Sequence, residues 1–216
     1  RNSAFIVPLD SPGFEIVRDV ETMGGKHNHP EVRYNDVRVP KENLLGERGG
    51  GHKLGQVRLG PARLAHCMRW LGQIEMALEM LIDRAQKRFA HGSLLSEKQS
   101  IQWMMSDSAM ELYSSKLMVL HAAYKIENGM EFKQEVSMAK HHVANTLWRV
   151  VDRAMQVHGA LGYSTDTPLA GMMQQARWAR LADGADEVHQ MRIAELLMKA
   201  YNSDGSINQG VGGLPL

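Results

Sequence analysis

Residues 132–159 read FKQEVSMAKHHVANTLWRVVDRAMQVHG. Phe132, Val136, Ala139, Val143, Leu147, Val150, Ala154 and Val157 recur at steps of three and four, the repeat that lines one face of an α-helix. The stripe predicts about seven turns at 3.6 residues per turn, closed by Gly159 and Gly162.

Two further stripes lie upstream. Leu64, Met68, Leu71, Leu78, Leu81 and Ala85 hold mostly helical spacing after Gly60-Pro61, which kinks or starts a helix. Beyond a break at 90–93, Ser96-Glu-Lys-Gln99 reads as a capping box opening a helix, with Gln99 returning a bond to the Ser96 amide. Ile101, Met105, Ser108, Leu112, Val119, Ala122 and Ile126 form its stripe, closed by Asn128-Gly129. Downstream, a fourth helix is expected from Pro168 to Arg180 and a fifth from Asp186 to Tyr201, with a loosely held tail over 204–216. Long helices joined by short loops, each with one apolar stripe, predict a mainly α fold, an antiparallel helix bundle over 51–203.

Residues 1–50 differ. The runs 4–8, 14–18 and 31–40 are short and rich in β-branched and aromatic residues, with turn residues between them. About three strands make a poor sheet by themselves, so they read as the back half of a β-domain. Because Arg1 stands directly before the first run, an N-terminal portion is expected to precede it. Leu44-Leu-Gly-Glu-Arg-Gly-Gly-Gly51 lacks the lysine of a phosphate-binding loop and reads as a linker.

Composition narrows the function classes. With 216 residues, 44% of them hydrophobic, the chain can bury a core. Its 25 basic and 24 acidic residues give a net charge of +1, so nothing in the balance calls for nucleic acid. No apolar run approaches the roughly 18–20 residues that span a bilayer. The single cysteine, Cys67, excludes an internal disulfide framework, points to an intracellular compartment and reads as a core thiol. Glu-x-x-His pairs, which a di-iron bundle requires, are lacking, and no metal site is expected.

Several features have both a plain and a functional reading. Asp183, Asp186 and Glu187 place three carboxylates in five residues beside Gly184. Asp183 reads as a helix N-cap or as a base. Arg88, at a helix end, is a dipole-compensating cation or a diphosphate clamp, and Gln99 is a capping residue or an amide beside that clamp. Gln156-Val-His-Gly159-Ala-Leu-Gly162 is a helix C-terminus or a close approach for a flat ligand.

Taken together and in this order, these motifs resemble the C-terminal half of the acyl-CoA dehydrogenases. Arg88-x-x-x-Gly92-x-x-Leu95-x-x-x-Gln99, Gln156-x-x-Gly159-x-x-Gly162-Tyr163 and the acid-Gly loop at 183–184 carry the likeness, with 31–46 resembling the late β-domain. Ala182-Asp-Gly-Ala-Asp-Glu-Val-His189 and His66-Cys-Met-Arg69 are similar to a branch that has aspartate at the base position and includes kinase-fused vertebrate members. The resemblance implies FAD as cofactor and oxidation of an acyl-CoA to the trans-2-enoyl-CoA. It implies Asp183 as base, Arg63 (nine residues before Gly72) and Gly184 near the acyl-CoA, Arg88, Gln99, Gln156, Gly159 and Ala160 at the FAD of a partner subunit, and Glu187 near the flavin. It further implies an electron-transferring flavoprotein as acceptor and a homodimer or homotetramer. An oxidase, or a non-catalytic assembly fragment inactive without further sequence, is the alternative. Ala185 in place of the usual threonine, His91 in place of phenylalanine, and an aspartate one methylene shorter than the usual glutamate are departures. Chain length of the substrate, and a mitochondrial, peroxisomal or bacterial setting, are not legible.

Overall fold

A computed structural model describes residues 2–206; the side chains of residues 26–28 and 204 lie outside that description, as do residues 207–216 of the expected tail. The chain forms two compact units, 1–59 and 60–216.

In the first unit β1 (Ala4–Phe5) pairs antiparallel with β4 (Leu44–Leu45), and β2 (Phe14–Thr22) with β3 (Gly25–Tyr34). Phe14 and Tyr34 face each other across that hairpin, rings edge-on at 5.2 Å. Arg18–Glu31 (2.7 Å) and Arg33–Glu15 (3.1 Å) add exposed cross-strand pairs. The strand expected over 31–40 stops at Tyr34. There the Asn35 N–H turns to the Gly13 carbonyl at 2.9 Å, and Asp36 enters the left-handed region. Gly13 (φ 88) is obligatory, since a Cβ would sit 2.0 Å from the Asn35 carbonyl oxygen.

Helix α1 runs unbroken over Gly51–Lys87. The glycine-rich linker therefore ends at Gly50, and Pro61 lies inside the helix, neither starting nor ending it. A two-residue hairpin follows, β5 (Phe89–Ala90) against β6 (Ser93–Leu94). Its turn residues His91 and Gly92 both have positive φ, as this turn type requires. The capping box does not form. Residues 95–97 make a 3-10 turn, α2 (Gln99–Glu127) begins behind Lys98, and no side chain caps it. The Ser96 carbonyl instead accepts from Gln102 Nε2 at 3.0 Å.

Helix α3 (Lys133–His158) is the centre of the second unit, packed by α2, the short α4 (Ala160–Tyr163), α5 (Leu169–Ala179) and α6 (Asp186–Asp204). The predicted stripe is buried from Val136 to Val157. Burial extends beyond it to Glu135, Ser137, Lys140, Thr146 and His158, because neighbours cover α3 on more than one side. These polar groups are satisfied where they lie: Glu135 pairs with Lys125 at 2.5 Å, and Ser137 Oγ donates to the Lys133 carbonyl at 2.9 Å. The α1 stripe joins the same core through Leu64, Cys67, Trp70, Ile74, Leu78, Leu81 and Ala85, so the buried face includes Cys67 in place of Met68, which is exposed. Along α2, by contrast, Trp103, Met110, Tyr113, Leu117, Leu120 and Tyr124 stay exposed at steps of seven, three and four. No helix among the described residues is long and apolar enough to cross a membrane.

Leu147 is fully buried at the middle of α3, so Leu147→Ala is expected to cost about 2–5 kcal/mol, read from denaturant unfolding. A second expectation concerns pH. His189, in the first turns of α6, is pushed down from 6.5 to about 4 by burial foremost, then by the Lys140 and Arg63 cations. Its folded value lies below its unfolded one, so as pH falls the unfolded chain takes up the proton first. The stability it confers is complete above pH 6.5 and lost between 6.5 and about 4. Thermal melts of His189→Leu should fall less between about pH 7 and about pH 5 than those of the parent. The slope is reduced rather than abolished, because His66 and His142 are lowered in the same direction.

Candidate active site

The turn between α5 and α6 is built by its backbone. Leu181 and Ala182 both donate to the Trp178 carbonyl, at 2.8 and 3.0 Å, and the Asp186 N–H closes back on the Arg180 carbonyl at 3.1 Å. Asp183 (φ 52) and Gly184 (φ 113) carry the chain through the left-handed region. Asp183 is not a helix cap: the residue before α6 is Ala185, which caps with no side chain. Gly184 is held to glycine twice over, by its φ and by His189, whose Nε2 would lie 2.9 Å from an added Cβ.

Charged donors from two helices hold this turn. Arg63 Nε of α1 donates to the Asp183 carbonyl at 2.8 Å. Lys140 Nζ of α3, wholly buried, donates to the Gly184 carbonyl at 2.6 Å. Behind the turn, the Asp186 carboxylate accepts from Arg180 Nε at 2.7 Å and Asn145 Nδ2 at 3.0 Å, with His141 Nδ1 at 3.5 Å. Burial by itself would raise the Asp186 carboxyl, but these hydrogen bonds and the nearby His141 outweigh it and hold it below the usual carboxylate range. Asp186 and Glu187 do occupy the first turn of α6, as the sequence suggests.

The Asp183 carboxylate points elsewhere. Its Oδ2 lies 3.2 Å from His66 Nε2, and its side chain keeps 25% of its exposure, against 4% for Asp186. Of the two acids at the turn, Asp183 is thus the one a ligand can reach. Around His66 the indoles of Trp70 and Trp178 pack at 5.5 Å, one stacked and one edge-on. Cys67 is buried and its thiol is pushed up to about 12 by burial, so it is a core thiol as expected.

No hydrogen bond or ion pair among the described residues joins the remaining expected residues to this cluster, although Glu187 is the chain neighbour of Asp186. Arg88 follows α1 and Gln99 opens α2, at the two sides of the β5–β6 hairpin, where the Leu95 N–H donates to the Arg88 carbonyl at 2.9 Å. Gln156 is in the last turn of α3. Gly159, at φ 65, joins α3 to α4, and Ala160 opens α4. Around Gly159 a Cβ would meet nothing within 4 Å. The side chains of Arg88, Gln99, Gln156 and Glu187 are exposed and make no hydrogen bond or ion pair among the described residues. Their polar groups are therefore accessible to a ligand. Among the described residues no group of three or more His, Cys, Asp and Glu could hold a metal ion.

Sequence reasoning missed His66, Lys140, Asn145 and Arg180 as partners of the turn. For His66 a signal existed, because Arg63, His66 and Trp70 stand at i, i+3 and i+7 and so share one face of α1. For Lys140 there was none, since a lysine on a helix is ordinarily exposed.

Comparison with known proteins follows the same line. The family model described as acyl-CoA dehydrogenase, C-terminal domain, matches residues 49–198. "Probable acyl-CoA dehydrogenase FadE2" of Mycobacterium tuberculosis is 42% identical over 198 residues, covering 90% of this chain and 49% of that protein. Acyl-CoA dehydrogenase family member 10 of Mus musculus is 40% identical over 204 residues, covering 92% of this chain and 19% of that protein. Among solved structures, butyryl-CoA dehydrogenase from Megasphaera elsdenii superposes with a TM-score of 0.82 at 30% identity, covering 91% of this chain and 51% of that one. The chain thus spans about half or less of the length of these relatives, and over the part it spans, it belongs to the acyl-CoA dehydrogenase family.

Proposed function

We propose that the protein carrying this chain dehydrogenates an acyl-CoA thioester to the trans-2-enoyl-CoA, with Asp183 as the base. One observation carries the assignment: Asp183 presents a partly exposed carboxylate from a turn whose two carbonyls are each held by a buried or half-buried cation. Asp183 takes the α-proton as the Cα–Cβ double bond forms. FAD, when bound, supplies the acceptor for the hydride leaving Cβ. The thioester oxygen gathers negative charge in this step and would be met by a backbone N–H at or beside Asp183, with bound FAD able to supply a further hydroxyl donor. Arg63 binds near the acyl-CoA while fixing the Asp183 carbonyl, and Gly184 keeps the turn narrow enough for the thioester to approach.

Arg88 and Gln99 would hold the diphosphate and an adjoining group of a partner subunit's FAD, with Gln156, Gly159 and Ala160 against the same cofactor, and Glu187 would lie near the flavin. Their unengaged polar groups and the open space at Gly159 fit a cofactor of that chemistry. An electron-transferring flavoprotein is the proposed acceptor. A homodimer or homotetramer is supported by α2, whose exposed apolar residues repeat at helical spacing along one side. Residues 1–50 are assigned to the late strands of a β-domain and 51–203 to the helical domain.

Asp183→Asn is expected to lower kcat by roughly 100- to 10,000-fold while the visible FAD spectrum stays intact, measured by anaerobic flavin bleaching with acyl-CoA. Normal turnover in that variant would sink the base assignment. For assembly, Leu117→Glu combined with Leu120→Glu should shift the sedimentation coefficient to that of a smaller species. An unchanged oligomer would remove α2 from the interface.

A further inference from the structure

His66 is not needed by the assignment above, yet it faces the Asp183 carboxylate directly, with Nε2 3.2 Å from Oδ2. Its ring is fixed in plane by Trp70, stacked at 5.5 Å, and by Trp178, edge-on at the same distance. Its proton is placed as well. Arg69 Nη2 lies 2.6 Å from Nδ1, against 3.4 Å from Nε2. A guanidinium only donates, so Nδ1 accepts and the ring proton resides on Nε2, the nitrogen that faces Asp183. Burial foremost, then the Arg69 cation, lowers the imidazole's affinity for a second proton, and the opposing pull of Asp183 does not cancel this. The ring at neutral pH is a neutral donor.

We propose that His66 is a positioning residue for the base: its Nε2–H holds Oδ2 of Asp183, leaving Oδ1 turned to the substrate α-carbon. The proposal rests on the reading of Asp183 as base. Its chemical sense lies in the short arm of aspartate. A carboxylate with one oxygen pinned has a single productive orientation, whereas an unpinned one must find it at each turnover. Arg69 acts one step further back, by fixing which nitrogen carries the proton, and Trp70 and Trp178 fix the ring plane. No proton is transferred through His66.

The test uses the FAD-loaded protein. His66→Phe keeps an aromatic ring between the two indoles and removes the donor. His66→Gln loses the ring and returns an N–H at nearly the same reach. A positioning role predicts that His66→Phe lowers kcat by about 10- to 100-fold with KM and FAD content little changed, and that His66→Gln recovers most of the loss. A purely packing role predicts the reverse order, Gln worse than Phe, and that order would overturn the proposal, as would wild-type kcat in His66→Phe. In an Asp183→Asn background, His66→Phe should change nothing more; a further loss of similar size would also overturn it. Should His66→Phe fail to retain FAD, Arg69→Met decides the matter: a fall in kcat at constant KM supports the proposal, and wild-type kcat overturns it. The two readings fail differently. Turnover by Asp183→Asn removes the base assignment itself, while an inactive Asp183→Asn beside a fully active His66→Phe removes only the role of His66.

Discussion

A lysine ammonium buried in the middle of a helix bundle is the contact on which the candidate site depends. Lys140 has no solvent exposure, and moving a cation into such surroundings is costly unless it is fully partnered. Its partners are the Gly184 carbonyl at 2.6 Å and the Asp186 carboxylate at 4.0 Å. Burial lowers the affinity of Lys140 for its proton, and Asp186 is foremost among the groups that oppose it. The consequence is mutual. Helix α3 keeps a charged Lys140 because the turn offers it oxygen, and the turn keeps its left-handed path because α3 and α1 each send a cation to one of its carbonyls. Asp186, clamped by Arg180 and Asn145, ties the start of α6 into the same network.

This arrangement divides labour between two acids three residues apart. Asp186 is hidden, with Oδ2 accepting from Arg180 and Asn145 and Oδ1 facing the Lys140 and His141 side chains at 4.0 and 3.5 Å, so its charge is spent on structure. Asp183 keeps one oxygen against His66 and the remainder of its carboxylate accessible. Two carboxylates in one short segment thus have opposite surroundings. The polar partners come from α1, α3 and Arg180, the residue that closes α5, so the site is a property of the packed second unit and not only of the acids themselves.

Much of the fold was legible because helical periodicity is a local signal. The stripe on α3 from Val136 to Val157 and the start of α6 at Asp186 both stand where spacing put them. Local signals failed where a competing local geometry won. Ser96 fell into a 3-10 turn and lost its capping role to backbone bonds, and the 31–40 strand ended when Asn35 bonded to Gly13. Pro61 was absorbed into α1, although proline usually marks a boundary. At the candidate site, Asp183 and Gly184 were visible as an acid beside a glycine. His66 and Lys140 lie 117 and 43 residues before Asp183, and no single-chain pattern links residues at such separations.

The backbone at Asp183 also bears on which acid can stand there. Residues with positive φ are mostly glycine, and among the others aspartate and asparagine are the best tolerated. The aspartate at this position and the left-handed turn at φ 52 are therefore a single feature rather than two. Lengthening the side chain would not simply extend the reach of the carboxylate. It would place a longer residue in a conformation that suits it less well, and it would push its oxygens past the imidazole that now meets them. At this turn, the geometry of the main chain favours a short acid.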